Sequence, residues 1–261
     1  MQNSDTKTVI ILTMPRSGSS LLAGILHRLG VPMGSYSDLE KGQHLNRYGC
    51  YEDQWFQSIS LNILFESRLL LDLTKRLNMD EERIKNVVQN YKAEIEEFVK
   101  ENEQNTWGFK DPALIYSLPY FHTLFKNPYY IHLRRNTRDT AGSLYKTFRP
   151  SYWIPEMKEK FPLFKPRNRM RIILRSAKLL FTKQKDYNEQ EVFEQVIERG
   201  HRRIERFLKK KNKHTFIQLE NLLEEPERNV KELADFLDLD TSRENYRAAL
   251  EFLDPNLVNS Y

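Results

Sequence analysis

The stretch Thr8–Gly30, TVIILTMPRSGSSLLAGILHRLG, decides how the rest of the chain is read. Four consecutive apolar residues, Val9-Ile10-Ile11-Leu12, suit a strand buried on both faces, as in the middle of a parallel sheet. Pro-Arg-Ser-Gly-Ser-Ser follows, and then Leu21, Leu22, Ile25, Leu26 and Leu29 recur at helical spacing until Gly30 stops the pattern. A buried strand, a tight loop and a helix in that order make an anion cradle, because the helix N-terminus presents unpaired N–H groups and the positive end of its dipole. The loop differs from a Walker loop. It has one glycine, Gly18, and its basic residue, Arg16, comes before that glycine and not after it. Without an anion, the same residues would make an ordinary strand-to-helix turn capped by serine.

Further strand signals lie at 106–111 (TWGFKD), 129–135 (YYIHLRR) and 214–221 (HTFIQLEN), with helical periodicity between them. The alternation predicts an α/β fold, a central parallel sheet between two helical layers. Residues 80–102 carry one apolar stripe (Ile84, Val87, Val88, Tyr91, Ile95, Phe98, Val99) and are expected to form a helix with an aspartate cap. A second amphipathic helix is expected over 224–239, with Pro226 in its first turn. No repeat or low-complexity linker interrupts the chain, so residues 1–261 are read as a single domain. In it, 147–213 is expected to form a helical or lid region.

Charged residues make up 30% of the 261 and aromatics 12%, the composition of a globular and not a disordered chain. A net charge of +5 favours anionic ligands without pointing to nucleic acid, and no nucleic-acid reading module is recognised. One cysteine, Cys50, permits no intrachain disulfide. The first residues lack a signal-peptide pattern, and no run reaches the roughly 20 apolar residues of a membrane span. A cytoplasmic location is the expectation, with a luminal domain of a membrane-anchored parent as the alternative. Residues 165–185 stand apart, rich in Lys and Arg and without an acid: an insertion over the active face, or a solvated helix with a basic side. No two of His27, His44, His122, His132, His201 and His214 have the i, i+4 spacing of a metal pair, and no metal site is expected.

A second anion site is suggested by IHLRRNTRDTAGSLYK (131–146), where Arg135 ends a strand and Ser143 lies eight residues on, in the following helix. Ligands of open α/β sheets bind at that carboxyl edge. The two segments together resemble the sulfotransferases that use 3′-phosphoadenosine 5′-phosphosulfate (PAPS). PRSGSSLL is similar to that family's 5′-phosphosulfate loop, and the Arg135–Ser143 spacing to its 3′-phosphate site. WGFKDPALI (107–115) resembles the Lys-Asp-Pro element of the bacterial, carbohydrate and tyrosyl-protein branches. GCYEDQWF (49–56) resembles a stretch of many bacterial members, and 216–239 their C-terminal strand–helix unit.

The resemblance implies a P-loop NTPase-like fold and an in-line transfer of sulfuryl from PAPS to a hydroxyl acceptor, leaving adenosine 3′,5′-bisphosphate. It implies that Arg16, Ser17, Gly18, Ser19 and Ser20 hold the 5′-phosphosulfate, and that Arg135 and Ser143 hold the 3′-phosphate. Lys110 would reach the transferred group; the bland alternative is an ion pair with Asp111. The acceptor hydroxyl needs a base, for which Glu52 is favoured over His44, Glu40 and Asp53. An apolar, partly closed site would raise its pKa to a useful value. The Arg-Lys-Gly motif of the cytosolic small-molecule branch is missing, which points away from that branch. The acceptor would be a carbohydrate, lipid or other small alcohol, met on the side of 147–213, and the basic segments would suit it if it is anionic. Tyr152 and Trp153, in an aromatic and proline-rich stretch, would stack on it or pack in the core. An ATP-dependent kinase and a non-catalytic nucleotide-binding protein remain the alternatives. The missing Gly-Lys-Ser/Thr argues against the first, and the joint presence of Arg16, Lys110, Arg135 and Ser143 against the second.

Overall fold

A computed structural model describes residues 6–34, 50–70, 73–147, 157–181, 190–239 and 243–253. Strand β1 (Lys7–Leu12) runs into helix α1 (Ser19–Arg28). Helices α2 (Gln54–Glu66), α3 (Glu81–Gln89) and α4 (Lys92–Asn102) precede β2 (Thr106–Lys110). The short α5 (Leu114–Ser117) leads to β3 (Pro128–Arg134) and α6 (Thr137–Thr147). Then α7 (Pro166–Phe181) and α8 (Gln190–Leu208) lead to β4 (His214–Gln218), which α9 (Leu219–Glu224), α10 (Pro226–Leu237) and α11 (Arg243–Glu251) follow.

The strands pair in the order β2-β1-β3-β4, every pair parallel. Strand alternation sorts β1 between two cores. Ile10 and Leu12 join Trp107, Phe109 and Tyr130 under α2, α3, α4, α6 and α8. Val9 and Ile11 join Ile131, Leu133 and Ile217 under α1, α10 and α11. Helices therefore cover both faces, which gives the three-layer αβα arrangement that the continuous Val9–Leu12 run requires.

Two expected elements differ. The apolar stripe of 80–102 is shared by two helices, because the chain breaks at Asn90 and Tyr91. Their N–H groups make tight bonds to the Val87 and Val88 carbonyls, at 3.0 and 2.9 Å, and Tyr91 leaves the helical region with φ −109° and ψ 3°. The break buries the Tyr91 ring and lets its hydroxyl donate to Glu66 Oε1 at 2.8 Å. The strand expected over 214–221 stops at Gln218, because Leu219 and Leu222, three residues apart, bury together only in a helix.

Helix α8 lies close against the sheet. A Cβ on Gly200 would come 2.1 Å from Met14 Sδ, so any side chain there would have to displace the buried Met14. The contact also buries His201 against His132 of β3, with His132 Nε2 3.0 Å from His201 Nδ1. Burial, and for His201 the nearby His132, pushes both rings down, His132 to about 4 and His201 to about 3.

Candidate active site

Parallel strands end on one edge, where the loop after β1 brings Arg16, the last residue of β2 is Lys110 and the turn after β3 brings Arg135. The first loop turns through two left-handed residues, Arg16 at φ 68° and Gly18 at φ 83°. A Cβ on Gly18 would stand 2.8 Å from both terminal carbons of Leu219, so the position needs glycine for its backbone angle and for space. Helix α1 then begins with no side-chain cap and no acid in its first turn, which leaves its leading N–H groups to an external anion. Ser17 Oγ is buried and has no hydrogen-bond partner among the described residues. These features fit a bound phosphate-type group, and they argue against the plain serine-capped turn.

Lys110 closes β2, in register with Ile11 and hence on the α1 face of the sheet. Its Nζ donates to Ser20 Oγ at 3.2 Å and to Glu52 Oε1 at 2.8 Å. The Ser20 hydroxyl in turn donates to the Cys50 carbonyl at 3.0 Å, and the Gln57 amide donates to Glu52 Oε2. Glu52 is thus tied to the loop through one lysine. The pair is buried, with side chains 2% (Lys110) and 14% (Glu52) exposed.

The electrostatics of Glu52 run opposite to the expectation from an apolar site. Burial pushes its carboxyl up, but the Lys110 and Lys160 charges and the bonds from Lys110 and Gln57 outweigh it, leaving the group below the usual range. Neighbouring Asp111 takes the opposite shift: burial, and then the charge of Glu52, push it up to about 7, although it accepts from Ala113 N at 2.6 Å. Lys110 therefore pairs with Glu52 and not with Asp111, the bland alternative weighed from the sequence. Asp53, a rival base, caps α2 by accepting from Phe56 N at 3.0 Å. His44 and Glu40 lie outside the described residues, as do Tyr152 and Trp153.

Beyond β3 two adjacent arginines part ways. Arg134 pairs with Glu198 of α8 at 2.5 Å, whereas Arg135 turns to the loop, its Nη1 3.5 Å from the Arg16 carbonyl. Arg16 Nε donates to Ser143 Oγ at 3.2 Å. Arg135 and Ser143 line one cavity of about 330 Å³ together with Arg138, Lys146 and Gln190. Sequence reasoning had missed these last three. For Arg138 and Lys146 a signal existed, since with Gly142 they repeat every fourth residue along α6. Gln57 and Lys160 had none, because only the tertiary fold brings them to Glu52. No group of three His, Cys, Asp or Glu among the described residues could hold a metal, and no described helix is long and apolar enough to cross a membrane.

Residues 6–253 match the family model of the sulfotransferase domain. Among solved structures, the sulfotransferase domain of the olefin synthase from Synechococcus PCC 7002 superposes with a TM-score of 0.50 at 19% identity, over 97% of this chain and 86% of that one. Sulfotransferase STF1 from Mycobacterium tuberculosis H37Rv superposes with a TM-score of 0.54 at 10% identity, over 93% and 70%. At these identities the likeness speaks to the fold, which is P-loop-like. A search of curated proteins returns no match. The family match spans the loop at Arg16–Ser20, the lysine at the end of β2 and the cavity beside α6, and by it the chain belongs to the sulfotransferase-domain family.

Proposed function

We propose that this protein moves the sulfuryl group of PAPS to the hydroxyl of a carbohydrate, lipid or other small alcohol. The observation that carries the reading is the bond from Arg16 Nε to Ser143 Oγ. It sets the anion cradle of the loop one hydrogen bond away from a separate cavity in which Arg135, Arg138 and Lys146 outnumber the one acid, Asp139. Two cationic sites that close suit a nucleotide with an anionic group at both ends of its ribose, as in an adenosine 3′,5′-bisphosphate. A nucleoside triphosphate gathers its charge at one end and would leave the second site unmatched.

When bound, the donor supplies a sulfuryl group on a phosphate leaving group. The α1 N-terminus, Ser17, Ser19 and Ser20 hold its 5′ end, with Arg16 adding a charge-assisted contact. Arg135 and Ser143 hold the 3′-phosphate. Lys110, already on Ser20, balances negative charge gathering at the loop, a preorganised electrostatic role. Glu52 takes the acceptor's proton on a carboxylate oxygen. The Lys110 charge keeps that carboxylate ionised before the acceptor arrives, and any shift of Lys110 toward a bound anion strengthens Glu52 as a base.

Calorimetry with adenosine 3′,5′-bisphosphate, ADP and ATP, each with and without Mg²⁺, tests the nucleotide. Metal-independent preference for the bisphosphate is expected; preference for Mg²⁺-ATP would overturn the reading in favour of a kinase. Glu52→Gln should keep bisphosphate affinity while transfer falls about 10²–10⁴-fold. Undiminished transfer would remove Glu52 from the role of base.

A further inference from the structure

Helix α7 carries a feature that sulfuryl transfer does not use. Its inner side, Asn168 and Ile172, packs on α2, where Asn168 Nδ2 donates to Asn62 Oδ1 at 2.8 Å and Ile172 joins Leu61, Phe65 and Phe164. On the opposite side stand Met170, Ile173 and Leu174, exposed by 64%, 50% and 63%. At 100° per residue these three form one stripe centred almost opposite the buried side, the outward crest of the helix and not the wall of a groove. Arginines border the crest. Arg169 lies along one edge, held by the Phe164 and Pro162 carbonyls at 2.9 and 2.8 Å. Arg167 and the exposed Arg171 lie along the other, and of these two only Arg167 has a carboxylate partner among the described residues, Glu66 at 3.0 Å. Arg175 stacks its guanidinium over Phe65, 4.8 Å from the ring centroid. Burial, and then the like charges of Arg171, Arg68 and Arg83, hold the Arg175 guanidinium below its usual range, so cations of α7 and its neighbours crowd together here. Residues 165–185 contain no acid.

We propose that α7 is an interfacial helix that seats Met170, Ile173 and Leu174 among the acyl chains of an anionic lipid bilayer while its arginines meet the headgroup phosphates. An apolar crest with cations along both edges matches a fluid surface that is apolar beneath and negative above. A protein groove would have to supply acids on both sides of one apolar slot to match the same face. The segment that carries Lys160 to the site carboxylates runs directly into α7, so docking would hold the site close to the bilayer surface.

The test is co-sedimentation of the full chain with vesicles of phosphatidylcholine containing about one third phosphatidylglycerol, beside pure phosphatidylcholine. It needs no activity, so its failure leaves the transfer reading untouched. Binding to the anionic vesicles, released by high salt, is expected. Ile173→Glu with Leu174→Glu should weaken it about tenfold or more, with circular dichroism and Tm unchanged, since both side chains are exposed. Arg171→Ala should weaken it about fivefold, roughly what one cation near such a surface contributes. The proposal is overturned if wild type ignores anionic vesicles or if the double variant binds as wild type does. A vesicle-free dimer in sedimentation velocity that the double variant abolishes would also overturn it, by giving the crest to a second copy of this chain.

Discussion

Replacing Lys110 by methionine tests the arrangement of the site most directly. Its Nζ lies 2.8 Å from Glu52 Oε1 with both side chains largely withdrawn from water. Coulomb attraction at that distance is about 6 kcal/mol for an effective dielectric of about 20, and desolvation of the two charges offsets much of it. Removing one partner is a different matter. It strands the Glu52 carboxylate in a buried site, and such losses run to about 3–5 kcal/mol. Lys110→Met should therefore unfold at a clearly lower urea concentration at pH 7. The sign of its pH dependence follows too. Losing the lysine removes the largest cause that lowers the Glu52 pKa, so the folded variant takes up that proton more readily than the wild type and the gap in stability between them narrows as pH falls toward 5. Adding Glu52→Gln removes the stranded charge and should restore most of the lost stability, while transfer activity stays low. The double-mutant cycle in urea and the transfer rate read both effects. A Lys110→Met loss below about 1 kcal/mol, the range of a surface pair, or a failure of Glu52→Gln to rescue it, would refute the buried-pair argument.

Two further outcomes follow from the backbone and the histidine pair. His132 and His201 have folded pKa values depressed to about 4 and about 3, so the unfolded chain takes up protons that the folded one refuses. Stability is full above the unfolded value of about 6.5 and falls with pH toward 4, by at most about 2 kcal/mol per ring between pH 6.5 and 5. Urea midpoints at pH 8 and 5 check this, and His201→Leu should flatten the acid limb. Gly18→Ala puts a side chain at φ 83° and within 2.8 Å of Leu219, at a cost of about 1–2 kcal/mol for the backbone alone. The Tm should drop and bisphosphate affinity with it; unchanged values for both would show that the loop tolerates another conformation.

Local pattern made some of this legible and tertiary contact made the rest. Val9–Leu12 announced a strand buried on both faces because the run is short, mostly β-branched and closed by a proline loop, and the structure puts its residues alternately in two cores. The loop was readable because a single glycine and an arginine between strand and helix constrain few alternatives. The partner of Lys110 was not readable: Asp111 adjoins it in sequence, but the side chain pairs with Glu52, 58 residues away. The break at Tyr91 was hidden for a similar reason. Apolar spacing continues across it, and the hydroxyl's partner, Glu66, belongs to another helix. Arg134 and Arg135 look alike in sequence, yet Glu198 takes one and the loop keeps the other.

Arg16, Lys110 and Arg135 belong to three stretches of chain, distant in sequence, that meet at the ends of β1, β2 and β3. An anion gripped by all three acts as a staple across the sheet, drawing its affinity from the docked state of every segment at once. Such a ligand at about a hundredfold over its Kd would stabilise the native state by about 2.7 kcal/mol. Because no one strand holds it, amide exchange should slow together in β1, β2 and β3, turning separately opening parts into a single cooperative unit.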